Sequence, residues 1–252
     1  MPSSAQSALA RSRKPRRGIE LVCEVVFRPL AHPLVLMLAR LRVPPPVVVA
    51  GAGVAGLAAT VELGRGSLLA AALLVQLKTL LDNADGQLAR LTGLTSTFGR
   101  YLDSESDLLV NAALFAALAW TTGLPALALA GFLALTAVLS LNFNAERLSR
   151  GAIAEPEAGG LPTALLQRLY GVVYAPQDRL AEWLVARRPG LIAPFAVSLL
   201  ANLGMSTQLA LFGLLLAVGH PLVFAWVALA ETAVIALALL PPRIPTRQEE
   251  PA

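Results

Sequence analysis

The sequence predicts an all-α fold, a polytopic membrane protein with six transmembrane helices, and three observations carry that expectation. Of the 252 residues, 56% are hydrophobic and only 14% are charged, with a mean hydropathy of +0.66, far from the balance of a water-soluble domain. Apolar runs of roughly 20 residues, enough to cross ~30 Å of hydrocarbon, recur along the chain with turns between them. Lys and Arg are spread unevenly among those turns, the pattern that sets topology in membrane proteins.

Residues 1–43 read as a basic tail followed by an interfacial amphipathic segment. Arg11, Arg13, Lys14, Arg16 and Arg17 precede Gly18 to Val43, where an apolar face is mixed with Arg28, Arg40 and Arg42. No apolar run of signal-peptide type follows the basic start. Residues 44–240 are expected to form the catalytic transmembrane domain. Pro44, Pro45 and Pro46 open the first span, Val47 to Leu63. The second runs from Ser67 to about Leu91, the third from Gly99 to Thr122 and the fourth from Pro125 to about Arg147. The fifth and sixth occupy Leu191 to Val218 and Pro221 to Leu240. Gly151 to Gly160 is a flexible link into a cytoplasmic interfacial segment, 149–190. Within it Leu161 to Arg188 reads as an amphipathic helix interrupted near Pro176. Residues 241–252 form a cytoplasmic tail. With six spans, one side collects the basic residues of the N-terminal segment, of the loop after the fourth span and of the tail, while the other shows only Arg65. Both termini are therefore expected in the cytoplasm, with the protein in the cell membrane.

A formal charge of +4 with a pI near 9.8 suits anionic lipid headgroups, and no nucleic-acid partner is expected. Cys23, the single cysteine, makes no intrachain disulfide. His32 and His220 each precede a proline and read as interfacial turn residues. Tyr170 and Tyr174 read as lipid-belt anchors. Asn202, Ser206 and Glu231 are expected to make hydrogen bonds between helices.

Four carboxylates stand where apolar helices should not have them. Asp82 and Asp85 lie near the inner end of the second span, Asp103 and Asp107 near the inner start of the third. Spacings of three and four place each pair on one helix face, and a short turn makes the helices an antiparallel hairpin, so all four can converge. Four like charges in one pocket require a counter-charge, and two divalent cations, Mg²⁺ or Mn²⁺, suit their hard oxygens. Gly86 and Gly99 remove bulk beside the acids, and Arg90, one turn beyond Gly86, can meet phosphate oxygens in bidentate fashion. Acids, metals, small residues and an arginine together describe phosphoryl transfer with its active site on the cytoplasmic side. Lys78, one turn before Asp82, reads first as a counter-charge and second as a ligand for an acceptor phosphate. Arg147 and Arg150, at the tip of the fourth span, either clamp an anionic acceptor or snorkel to headgroups.

The run DNADGQLAR, eight further residues, then GRYLDSESD resembles the signature of the CDP-alcohol phosphotransferases (CDP-alcohol phosphatidyltransferases), D-x2-D-G-x2-A-R-x8-G-x3-D-x3-D, at every fixed position. The resemblance implies that Asp82, Asp85, Asp103 and Asp107 bind two divalent metals, that Asp107 is also the general base, and that Asp82, Gly86, Ala89, Arg90 and Gly99 contact the CDP moiety. It further implies phosphatidyl transfer in phospholipid biosynthesis from a CDP-alcohol, foremost CDP-diacylglycerol, to a small polyol or polyol phosphate, with release of CMP, by a homodimer. The glycines Gly51, Gly53 and Gly56 of the first span could support close helix packing. Two alternatives stand beside this: transfer from a soluble CDP-alcohol to diacylglycerol, and a cation-coupled transporter whose intramembrane acids mark an ion path. Against transport, the acids sit at one boundary and no internal repeat is visible.

Overall fold

The computed structural model describes residues 17–151 and 160–239. The basic run Arg11 to Arg16, most of the expected flexible link and the C-terminal tail lie outside the described residues. Those described form helices and turns with no strand among them. A π-helical turn, Cys23–Phe27, leads into α1 (Arg28–Arg40). Pro29 has no N–H to give, and Arg28 reaches back five residues to the Cys23 carbonyl. Then follow α2 (Pro45–Gly64), α3 (Leu68–Thr92), α4 (Thr97–Thr122) and α5 (Pro125–Ser149). Prolines in the first turn start α2 and α5. Left-handed glycines, Gly93 (φ 72°) and Gly123 (φ 69°), cap α3 and α4. Ser96 starts α4 by accepting from the Gly99 N–H at 3.0 Å.

The amphipathic segment after the link divides into α6 (Leu161–Val173) and α7 (Ala175–Arg187), the break falling at Tyr174 just before Pro176, as the missing proline N–H dictates. The expected fifth span is not continuous. It is α8 (Pro194–Ala201) and α9 (Met205–Ala217), interrupted at Asn202 to Gly204. The interruption has a packing reason: a Cβ on Gly204 would come within 3.0 Å of Glu20 Oε1 and 3.1 Å of Asn142 Nδ2. The sixth expected span is α10 (Val223–Ala238), shorter than the sequence suggested.

Among the described residues three stretches are long and apolar enough to cross a membrane, namely α2, α5 and the α8–α9 run, with α10 a shorter apolar helix. At 25 and 26 residues α3 and α4 have the length, but one end of each carries the charged residues of the site. The core lies among α2, α3, α4, α5, α9 and α10, around Leu63, Val75, Leu114, Leu118, Leu135 and Leu216. A ladder of phenylalanines joins three helices: Phe115 to Phe224 at 5.8 Å and Phe224 to Phe212 at 4.7 Å between centroids.

The close helix packing expected of the glycines is present at Gly53 and Gly56, inside the protomer, for Cβ atoms there would collide with Ser106 and Val110 of α4, while Gly51 meets nothing within 4 Å. Two expectations need correction. His32 is not a turn residue but lies within α1, although His220 does occupy the turn before α10. Arg28 is buried rather than interfacial; its charge is matched by Glu24 one turn earlier, and Gln87 of α3 donates to its carbonyl at 3.4 Å. Ala31 and Val35 continue this inward face of α1 against Ala84 and Leu88 of α3, while Arg40 and Arg42 remain exposed. The polar residues expected between helices do bond there. Asn83 donates to Ser206 at 3.1 Å, Gln208 to Glu231 at 2.7 Å, and Asn202 bonds to the N-terminal segment.

Candidate active site

Helices α3 and α4 form the expected antiparallel hairpin, and their polar ends meet. Asp82, Asp103 and Asp107 each offer an oxygen, the three within 4.8 Å of one another. Hard oxygen donors at that separation could hold a divalent cation. Asp85, buried one turn along α3, stands outside this trio, and its carboxylate accepts from the Gly86 N–H. Lys78 is fully buried, 0% exposed, and its ammonium is shared by Asp82 and by Asp107, the latter at 2.5 Å. It thus sits among the acids as their counter-charge.

The positions next to the trio keep space open. A Cβ on Gly86 would lie 3.2 Å from the Arg90 guanidinium, so the glycine is what lets Arg90 fold back along α3. Ala89 is half-buried on the following turn, and a Cβ on Gly99 would meet only Ser96 Oγ, at 3.1 Å.

From Asp103 and Asp107 the site opens into a polar chamber of about 330 Å³ between α4, α5 and the α6–α7 pair. Asp178 is held there by Asn144, which donates at 2.9 Å, and by the Tyr170 hydroxyl at 3.3 Å. Tyr174 donates to the Ser104 carbonyl at 3.2 Å and packs on Tyr170 at 4.8 Å. Burial, with Asp178 beside Tyr170 and Glu105 beside Tyr174, raises both phenols above their ordinary range. They therefore stay protonated and act as hydrogen-bond donors. Of the three cations expected at the acceptor end, Arg150 lines the chamber and approaches Glu146 at 3.4 Å. Arg147 turns instead to Glu182 at 2.7 Å and Asn144 at 2.9 Å, and Lys78 is engaged with the trio.

The sequence model of the CDP-alcohol phosphatidyltransferases matches residues 30–240 of this chain. The chain belongs to that family. It is thus a transferase of phospholipid biosynthesis, and its apolar helices are those of an integral membrane protein. Two crystal structures of Mycobacterium tuberculosis phosphatidylinositol phosphate synthase are similar to this transferase. One holds CDP-DAG; it is 23% identical with a TM-score of 0.42, over 79% of this chain and 94% of the other. The second, with manganese and citrate, is 24% identical with a TM-score of 0.41, over 78% and 88%. No curated protein matches the sequence.

Several residues around this phosphatidyltransferase site carry no local signal in the sequence. Tyr170, Tyr174 and Asp178 read as membrane-surface residues, yet they line the chamber. Glu146 reads as part of a polar helix tip, but its carboxylate accepts from the N–H groups of Arg17 at 3.0 Å and Gly18 at 3.2 Å. Those bonds start a strap, residues 17–21, laid across α8. Ile19 donates to Ser198 Oγ at 3.4 Å, and Asn202 accepts from the Leu21 N–H at 2.9 Å while donating to the Ile19 carbonyl at 2.7 Å. Glu20, on this strap, is 3% exposed and lines the chamber.

Proposed function

We propose that this transferase moves a phosphatidyl group from CDP-diacylglycerol to a hydroxyl of a small polyol or polyol phosphate at the cytoplasmic face of the cell membrane. The observation that carries the reading is the aspartate trio of the α3–α4 hairpin, two of whose members, Asp103 and Asp107, line a polar chamber. A lipid donor is supported by a second, apolar cavity of about 390 Å³ between α5, α7 and α10, which shares Thr136 and Ser140 with the chamber. Six spans, α2, α3, α4, α5, α8–α9 and α10, with both termini in the cytoplasm, agree with the basic residues near α1, α6 and α7. In that arrangement residues 17–43 and 160–190 lie on the inner surface beside the spans. A homodimer of such units is the assembly we expect.

In this reading Asp82, Asp103 and Asp107, with Asp85 adjoining, hold two divalent cations, Mg²⁺ or Mn²⁺. Bound there, the ions would neutralise the diphosphate and the charge that develops on departing CMP. Arg90, given room by Gly86, pairs with a phosphate oxygen, and Asp82, Ala89 and Gly99 border the CDP moiety. Asp107 accepts the proton of the acceptor hydroxyl as its oxygen attacks the β-phosphorus. The new O–P bond forms as the bond to CMP breaks, and the electron pair leaves with CMP. Lys78 holds the Asp107 carboxylate oriented before substrate arrives. Arg150 borders the acceptor.

The test is CMP release by the purified protein in nanodiscs with Mg²⁺ or Mn²⁺, CDP-diacylglycerol and a panel of alcohols. Acceptor-dependent CMP that disappears in Asp107→Asn is expected. CMP only from a soluble CDP-alcohol with diacylglycerol would reverse the donor and acceptor assignments, and no CMP from either pairing, with cation flux into vesicles, would replace transfer by transport.

A further inference from the structure

The charges around the chamber point to the kind of alcohol it admits. Every cation named for an acceptor phosphate already faces a carboxylate: Lys78 those of Asp82 and Asp107, Arg147 that of Glu182, and Arg150 that of Glu146. A phosphate reaching Arg150 would have to displace Glu146 while remaining beside it, so repulsion would offset the attraction. Arg100 also borders the chamber, at the exposed start of α4, with its guanidinium 5.1 Å over the Tyr101 ring.

The rest of the wall is built to take hydrogen bonds from hydroxyl groups. Beyond the metal-binding aspartates it presents Glu20, Glu146 and Asp178, and an ionised carboxylate only accepts. The backbone that carries Glu20 is held in place. Its strap is tied to α8 by the two Asn202 bonds and by Ser198. The strap also lies so close that a Cβ on Gly18 would come within 2.7 Å of the Val197 carbonyl. Glu20 precedes residues 30–240, the stretch that the family model matches, so the shared signature does not specify it.

Resting on the phosphatidyl-transfer reading, we propose that the chamber selects an alcohol bearing no anionic group, and that Glu20 is a specificity-determining residue that accepts a hydrogen bond from a non-reacting hydroxyl or ammonium of that alcohol. The carboxylate repels phosphorylated acceptors and orients uncharged or cationic ones toward Asp107.

The experiment measures CMP release by the full-length protein with CDP-diacylglycerol and Mn²⁺, against glycerol, inositol and ethanolamine on one side and glycerol 3-phosphate and inositol 1-phosphate on the other. The wild type should favour at least one unphosphorylated alcohol by tenfold or more in kcat/KM. Glu20→Gln should raise the KM for that alcohol about tenfold, the loss of one hydrogen bond to a charged group. Its kcat, its KM for CDP-diacylglycerol and its Tm should stay within twofold or a degree or two of wild type. Glu20→Lys should narrow or invert the preference toward the phosphorylated acceptors. A wild-type preference for phosphorylated acceptors would overturn the proposal and leave phosphatidyl transfer standing, as would a Glu20→Gln variant whose acceptor preference is unchanged. No CMP with any alcohol would overturn both.

Discussion

Asp82, Asp103 and Asp107 come together from two helices joined by a four-residue turn; Asp103 and Asp107 line the chamber, and Asp82 and Asp107 share one buried cation, Lys78. Glu146 and Asp178 reach it from α5 and α7, and each is met by donors of its own. Backbone N–H groups of Arg17 and Gly18 serve Glu146; Asn144 and Tyr170 serve Asp178. The first set is left rich in negative charge and poor in donors, the condition for attracting metal. The second is nearly satisfied and is therefore suited to shape and select. Carboxylates that border one chamber thus do different work, and the neighbours of each decide which.

The largest effect that sharpens this contrast is expected at Asp107. Asp107→Asn should lower kcat for CMP release about 10²–10⁴-fold, the range for a general base, and chelation of divalent cations should abolish release until Mn²⁺ or Mg²⁺ is restored. Asp178→Asn should cost far less. Loss of charge assistance to Asn144 and Tyr170 is worth roughly 1–2 kcal/mol, read as a several-fold rise in acceptor KM with unchanged dependence on metal concentration. A metal dependence shifted by Asp178→Asn would break the distinction between the two sets.

Smaller effects separate the site from the scaffold. Gly131 of α5 packs where a Cβ would meet Ala225 Cβ at 2.8 Å and its Cα at 2.9 Å, so Gly131→Ala should destabilise by about 1–3 kcal/mol, seen as a lower Tm with the KM values retained. Gln208→Leu removes the partner of Glu231 inside the bundle and should cost about 0.5–2 kcal/mol of stability without altering acceptor preference. The smallest effect is expected from Tyr170 and Tyr174. Because burial and nearby carboxylates raise both phenols, they keep their protons up to and beyond the ordinary value of about 10. The pH profile of kcat/KM should therefore show no tyrosine limb below pH ~10. Their stabilising contribution, complete below that pH, should be lost only as the pH rises through the raised values.

The sequence by itself determined the helical class, the α3–α4 hairpin and the convergence of Asp82, Asp103 and Asp107, because these rest on hydropathy and on residues three, four and about twenty apart, distances that helix geometry converts directly into position. Spacing also brought Asp85 near, but not the turn of its carboxylate toward Gly86, which depends on side-chain rotation. The break at Asn202 to Gly204, the inward face of α1, the use of Gly53 and Gly56 against α4, and the chamber wall of Glu20, Glu146 and Asp178 were decided only by the tertiary structure. Ile19 and Leu21, which flank Glu20, meet Asn202 though they are far apart from it in the chain, and no periodicity encodes such a meeting. It follows from which faces of α5 and α8 remain for the N-terminal segment once the apolar core has packed.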